Sequence, residues 1–178
     1  MDFQENYLAS ANFEFHRYKT MGDKTFDQIS DTDIHWKYEE SNNSIAIIVK
    51  HMVGNMKSRW TNFLTEDGEK TWRERDSEFE RPYSSKSEMI TEWEQGWQCL
   101  FDALKSINYS NFDSKINIRG EQHSIPEAIN RQLAHYASHV GQIVFIGKMI
   151  KGSDWTSLSI PKDGSKAFNK KMFGSTNP

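Results

Sequence analysis

The chain has 178 residues, enough for one domain with a substantial core and short for two. A formal net charge of −3 with no block of like charges argues against a nucleic-acid or membrane-binding surface and leaves small ligands and protein partners. One cysteine, Cys99, rules out an intrachain disulfide and a cysteine-built zinc site. The start of the chain is acidic and carries no basic-then-apolar leader, and no apolar run is long enough to span a bilayer, so a cytoplasmic protein is expected. Mean hydropathy is low, at −0.79, but six Trp and eleven Phe can fill a core with few side chains.

Four stretches keep helical spacing. The first runs from about Asp2 to Ile29, with Phe3, Tyr7, Ala11 and Tyr18 on one stripe and Leu8, Phe15, Phe26 and Ile29 beside it; Gly22 is a candidate interruption. The second begins near Ser44, continues through Ile45, Ile48, Val49, Met52, Met56, Trp60 and Phe63, and stops around Asp67-Gly68. The third opens at Ser85-Lys86-Ser87-Glu88, an S-x-x-E capping box, and steps through Met89, Trp93, Trp97, Leu100, Leu104 and Ile107. Ser124-Ile125-Pro126-Glu127 combines the same box with a first-turn proline and opens the fourth, which ends before Gly152. Helices that cannot bury their stripes alone predict an all-α four-helix bundle in a single domain over residues 1–178. The connections are longer than simple up-down bundles use, which points to a crossover. Lys115 to Arg119 alternates and reads as a short strand, with Asp33 to Tyr38 as a candidate partner. The polar tail, 153–178, is expected to lie over the bundle.

Two histidines stand out on the fourth helix. At about 100° per residue, His135 and His139 lie about 40° apart and face inward with Tyr136 nearby. The spacing admits two readings: a pair that shares a divalent cation, or two core imidazoles with satisfied nitrogens. A zinc-protease helix is disfavoured, because Tyr136 stands where H-E-x-x-H needs its general base. His51, in a turn that is apolar almost all round, is the best third ligand. By helical geometry alone it falls on the flank of its stripe with Asn55, where an interface histidine is the simpler reading. His16, His35 and His123 sit in polar surroundings and read as exposed or loop residues.

"NSIAIIVKHMVGNMKSRW", "FLTEDGEKTWRERDSEF" and "RQLAHYASHVGQI" together resemble the DinB/YfiT-like superfamily, and within it a branch of unknown function. Its most specific mark is the H…HxxxH-x-GQ pattern. The resemblance implies an up-down-down-up bundle, often a homodimer, in which His51, His135 and His139 hold a divalent metal, commonly zinc or nickel, with open positions. It also implies a small-molecule thiol as substrate, since relatives include S-transferases that use bacillithiol, mycothiol or similar thiols, and a thiol-dependent isomerase. Asn55 and Arg131, each one turn from a ligand, and Gln142, three residues beyond His139, are then candidates to orient ligands or meet substrate; the alternatives are ordinary buried amides and a solvated arginine. The loop from Asp67 to Glu80 carries Arg73, Arg75 and Asp76 beside Trp72, and Arg73 and Asp76 are candidate substrate contacts at a bundle mouth. Trp93 and Trp97 read as core. Three functions stay open: a metal-dependent thiol transferase acting on an electrophile, a metal-dependent hydrolase, and a non-catalytic binding bundle with a structural metal.

Overall fold

The computed structural model describes residues 2–80 and 82–174. Six helices and one hairpin follow in the order α1 (Phe3–Phe26), α2 (Ile45–Trp60), α3 (Ser77–Glu80), α4 (Lys86–Ser106), β1 (Lys115–Ile118), β2 (Glu121–Ser124), α5 (Ile125–Lys151) and α6 (Ser165–Phe173). The protein is mostly helical, with α1, α2, α4 and α5 packed as a bundle. No helix among the described residues is long and apolar enough to cross a membrane.

The helix starts are set by local chemistry. Asp2 and Ser124 each cap through a reciprocal box, with Glu5 and Glu127 as the returning partners. At α4 only half of the expected box forms: Ser85 accepts from the Glu88 N–H, while the Glu88 carboxylate takes the Ser84 backbone N–H and hydroxyl instead. Helix α2 stops at Trp60, earlier than its stripe suggests, because Thr61 is extended and Asn62 turns left-handed at φ 49°. Asparagine tolerates that region better than most residues, and Phe63 reaches the core from beyond the helix. Gly22 does not interrupt α1. It lies inside the helix with Trp93 packed on it, where an added Cβ would meet the indole Cζ2 at 2.5 Å.

Contacts between helices fix their directions. Along α2 and α4, Lys57 meets Glu92 and Thr61 meets Cys99; along α1 and α5, Tyr7 meets Asn130 and Thr25 lies against Gly147. Both pairs run parallel. Across the pairs the order reverses: His16 stacks on Phe101 while Asp23 accepts from Trp93, and His51 faces His139 while Trp60 donates to Tyr136. The bundle is therefore up-down-down-up, and parallel neighbours need the long crossovers that the loop lengths foreshadow. Phe26, Trp93, Trp97, Phe15 and Tyr136 form a continuous aromatic core with centroids 5.2–6.3 Å apart.

The hairpin corrects one expectation. Lys115–Ile118 is a strand, but its antiparallel partner is Glu121–Ser124, with Lys115 opposite Ser124 and Ile118 opposite Glu121; residues Thr32–His35 form a 3-10 turn. Arg119 and Gly120, at φ 57° and 76°, make the tight connection that two left-handed residues allow. The Asp67 carboxylate accepts from the backbone N–H groups of Glu69, Arg119 and Gly120, and Gly68 N–H donates to Asn117 O at 2.8 Å. This fastens the hairpin to the segment after α2. In the tail, Gln28 and Thr156 exchange two hydrogen bonds and Trp155 covers Gly147, so the chain just past α5 lies against α1 and α5. Helix α6 buries no residue, and 175–178 of the expected tail lie outside the described residues.

Candidate metal centre

Antiparallel packing of α2 on α5 brings His51 to the pair on α5. His135 Nε2 is 3.4 Å from His51 Nε2 and 3.0 Å from His139 Nε2, and one ligand atom from each ring lies within 4.8 Å of the other two. Four-coordinate binding at about 2.0–2.1 Å per nitrogen sets neighbouring donors about 3.3 Å apart, so the spacing suits a small divalent ion. His51 reaches this position because α2 is buried nearly all round, which makes its flank an interior surface as well.

The outer nitrogens argue for the same arrangement. His51 Nδ1 is 2.9 Å from Glu78 Oε2, and a carboxylate oxygen only accepts, so the ring carries its proton there and turns a lone pair at Nε2 inward. His139 Nδ1 likewise lies 2.9 Å from Gln142 Oε1. His135 Nε2 meets both inward nitrogens and, as a donor, can satisfy only one. A cation satisfies all three. Burial, reinforced by the His139 and His51 charges, pushes the His135 imidazole down to about 3. His139 is also lowered, mainly by burial, with Gln142 opposing. Both rings are therefore held neutral, the form that ligates metal.

Glu78 is the residue that sequence reasoning missed. It sits on α3, inside the crossover between α2 and α4, and its carboxylate joins His51 to Arg73, which donates from Nε at 2.8 Å and Nη2 at 3.1 Å. Burial acts to raise the Glu78 carboxyl, but the hydrogen bonds and charges of His51 and Arg73 outweigh it and hold it low. The approach depends on Gly54, because a Cβ there would collide with Glu78 Oε1 and lie 2.8 Å from its Cδ. Phe79, next on α3, packs against the His51 ring at 5.1 Å.

The other expected residues fall in different places. Gln142 bonds His139, as above. Asn55 accepts from the Tyr136 hydroxyl at 3.0 Å and touches no imidazole nitrogen. With Arg73 and Arg131 it lines a cavity of about 200 Å3 that opens beside His51 and His135. Asp76 points into solvent, 97% exposed, with Arg75 3.9 Å away. Tyr136 is fully buried, donates to Asn55 and accepts from Trp60 Nε1, so it is a core residue with a satisfied hydroxyl. His16 and His35 are exposed and His123 lies on β2, away from the cluster. Cys99 lies between α2 and α4 near Thr61 and the Met56 carbonyl. A second, mainly apolar cavity of about 480 Å3 lies beyond Gln142, walled by Trp36, Ile48, Phe145 and Met149.

Fold and site together define a four-helix bundle with a buried three-histidine cluster able to hold a metal ion. Residues 2–164 match a family model described as a protein of unknown function, DUF1572, and the chain belongs to that family. No curated protein matches the chain.

Proposed function

We propose that the chain is a divalent-metal-dependent enzyme of the DinB/YfiT kind, with zinc or nickel at His51, His135 and His139, and that it transfers a small-molecule thiol of the bacillithiol type to an electrophile. The observation that carries this reading is the convergence of three imidazole nitrogens, two of them on rings, His51 and His139, whose outer nitrogens are engaged by Glu78 and Gln142. Three protein ligands leave a position open, the pattern of catalytic rather than structural sites.

A bound divalent ion would supply Lewis acidity that keeps an incoming thiol in its thiolate form. The chain's residues supply the remainder. Glu78 and Gln142 hold His51 and His139 in the tautomer and orientation that present Nε2. The apolar cavity beyond Gln142 has the size and lining for the body of a small electrophile. In the overall reaction the thiol loses its proton to solvent, its sulfur bonds to the electrophilic carbon, and the leaving group departs with the bonding pair. The sulfur comes from the cosubstrate, because the one cysteine packs between helices and lines neither cavity. Hydrolysis is the weaker alternative: Glu78, the acid that touches the cluster, is committed to His51 and Arg73.

The test is turnover by zinc-loaded and nickel-loaded protein against a panel of low-molecular-weight thiols and alkylating or epoxide electrophiles. Thiol-dependent product formation, abolished in His135→Ala, is expected. Turnover without thiol would replace transfer with hydrolysis, and no turnover or thiol binding with metal bound would leave a non-catalytic bundle.

A further inference from the structure

The cavity beside His51 and His135 is walled by Arg59, Arg73, Arg75, Arg119 and Arg131. These five come from α2, the crossover, the hairpin turn and α5, so the convergence is a product of the fold. Two carboxylates pair with them: Glu78 with Arg73, and Glu69 with both Arg59 and Arg119. Asp67, which takes the Arg119 backbone N–H and feels the Arg59 charge, is a third carboxylate nearby, so five positive charges less three negative leave two. Asp76, almost wholly in solvent, offsets little of this. Arg131 has no ion-pair partner among the described residues.

The buried donors show the same deficit. Arg73 and Arg59 side chains are 2% and 4% exposed, yet Arg73 Nη1 and Arg59 Nε are buried donors without a hydrogen-bond partner. Burial lowers the Arg59 guanidinium, and the Arg73 and Arg119 charges add to that against Glu69. A buried donor left open is destabilising, so a partner that accepts from it is favoured. Water can satisfy a neutral donor, but it does not neutralise clustered charge.

We infer that this cavity is a binding site for an oxyanion, the carboxylate or phosphate group of a small, multiply charged molecule. Guanidinium forks match the paired oxygens of either group. The inference rests on the reading above only in making that molecule a substrate: its anionic end sits among the arginines while its reactive part lies at the histidines. The anion site itself needs no metal.

The experiment titrates metal-free protein with inorganic phosphate and, separately, with succinate, at constant ionic strength in chloride, by calorimetry. The variants are Arg75→Gln and Arg131→Gln, both exposed and free of buried ion pairs, singly and together, with helicity and melting checked by circular dichroism. Saturable one-to-one binding of at least one probe is expected, weakened about tenfold by each substitution; whichever probe binds tighter identifies the group. Absence of saturable binding by both probes overturns the inference. So does binding that appears only with added metal, or that survives in the double variant. Anion binding without thiol transfer would remove the proposed reaction and leave this site standing.

Discussion

Replacing Glu78 with glutamine separates what this residue does for the fold from what it does for the centre. The carboxylate is buried and takes three contacts of 2.8–3.1 Å, one from His51 and two from Arg73. Glutamine keeps the shape but has one acceptor oxygen, so either His51 or Arg73 meets an N–H₂ instead. Removing one partner of a buried ion pair costs about 3–5 kcal/mol, and the retained oxygen places this substitution near 3. For a chain of this length each kcal/mol is about 2–4 °C, so the metal-free variant should melt about 6–12 °C lower. Metal affinity should fall separately, by about 10–100-fold, because His51 loses the acceptor that fixes its tautomer. At a fixed excess of zinc, a 100-fold loss removes about 2.7 kcal/mol of metal-induced stabilisation. Chelator competition gives the affinity, and melts with and without zinc give the stabilities. Destabilisation with unchanged zinc affinity would refute the orienting role and reduce Glu78 to an ion-pair partner of Arg73.

Gly54→Ala improves helix propensity by about 0.5–1 kcal/mol, but its methyl group displaces the Glu78 carboxylate; zinc affinity by competition should fall about tenfold or more. Tyr136→Phe leaves Asn55 and Trp60 without the hydroxyl that joins them and should lower urea stability by about 1–3 kcal/mol with metal affinity unchanged. For Asp67, burial acts to raise the carboxyl, but three backbone N–H bonds and the Arg59 charge hold it below its ordinary value. Glu69 is held low in the same way against its own burial by Arg119 and Arg59. A carboxyl depressed in the folded state stabilises fully above its unfolded value, near 4, and that contribution is lost as pH falls through the folded one. The urea midpoint should therefore drop between about pH 5 and pH 3, and the wild-type advantage over Asp67→Asn should shrink across that interval.

What was legible in the chain was legible for local reasons. Stripes such as Met89, Trp93, Trp97 and Leu100 and the boxes at Ser85 and Ser124 encode helices within a few residues, so four long helices could be read directly. The HYASH spacing placed two imidazoles inward for the same reason. Glu78 lies in a polar crossover and becomes buried only because Gly54 opens a seat for it on another element. A glycine within the otherwise bulky α2 was the available signal. The five cavity arginines are spread from 59 to 131 and no window contains more than two of them together. Strand β2, Glu-Gln-His-Ser, lacks apolar alternation, so its pairing with β1 is set by the Arg119-Gly120 turn and the Asp67 anchor rather than by pattern. Helix α2 ended early at a left-handed asparagine that periodicity does not register.

The proposed chemistry depends on His51, His135 and His139 forming one ligand set. Elemental analysis of protein purified without a histidine tag, beside His51→Ala, His135→Ala and His139→Ala, tests it most directly. About one equivalent of divalent metal per chain is expected, lost in each variant while the helical circular dichroism spectrum persists. No metal bound even after zinc or nickel is added, or full occupancy retained in the variants, would contradict it.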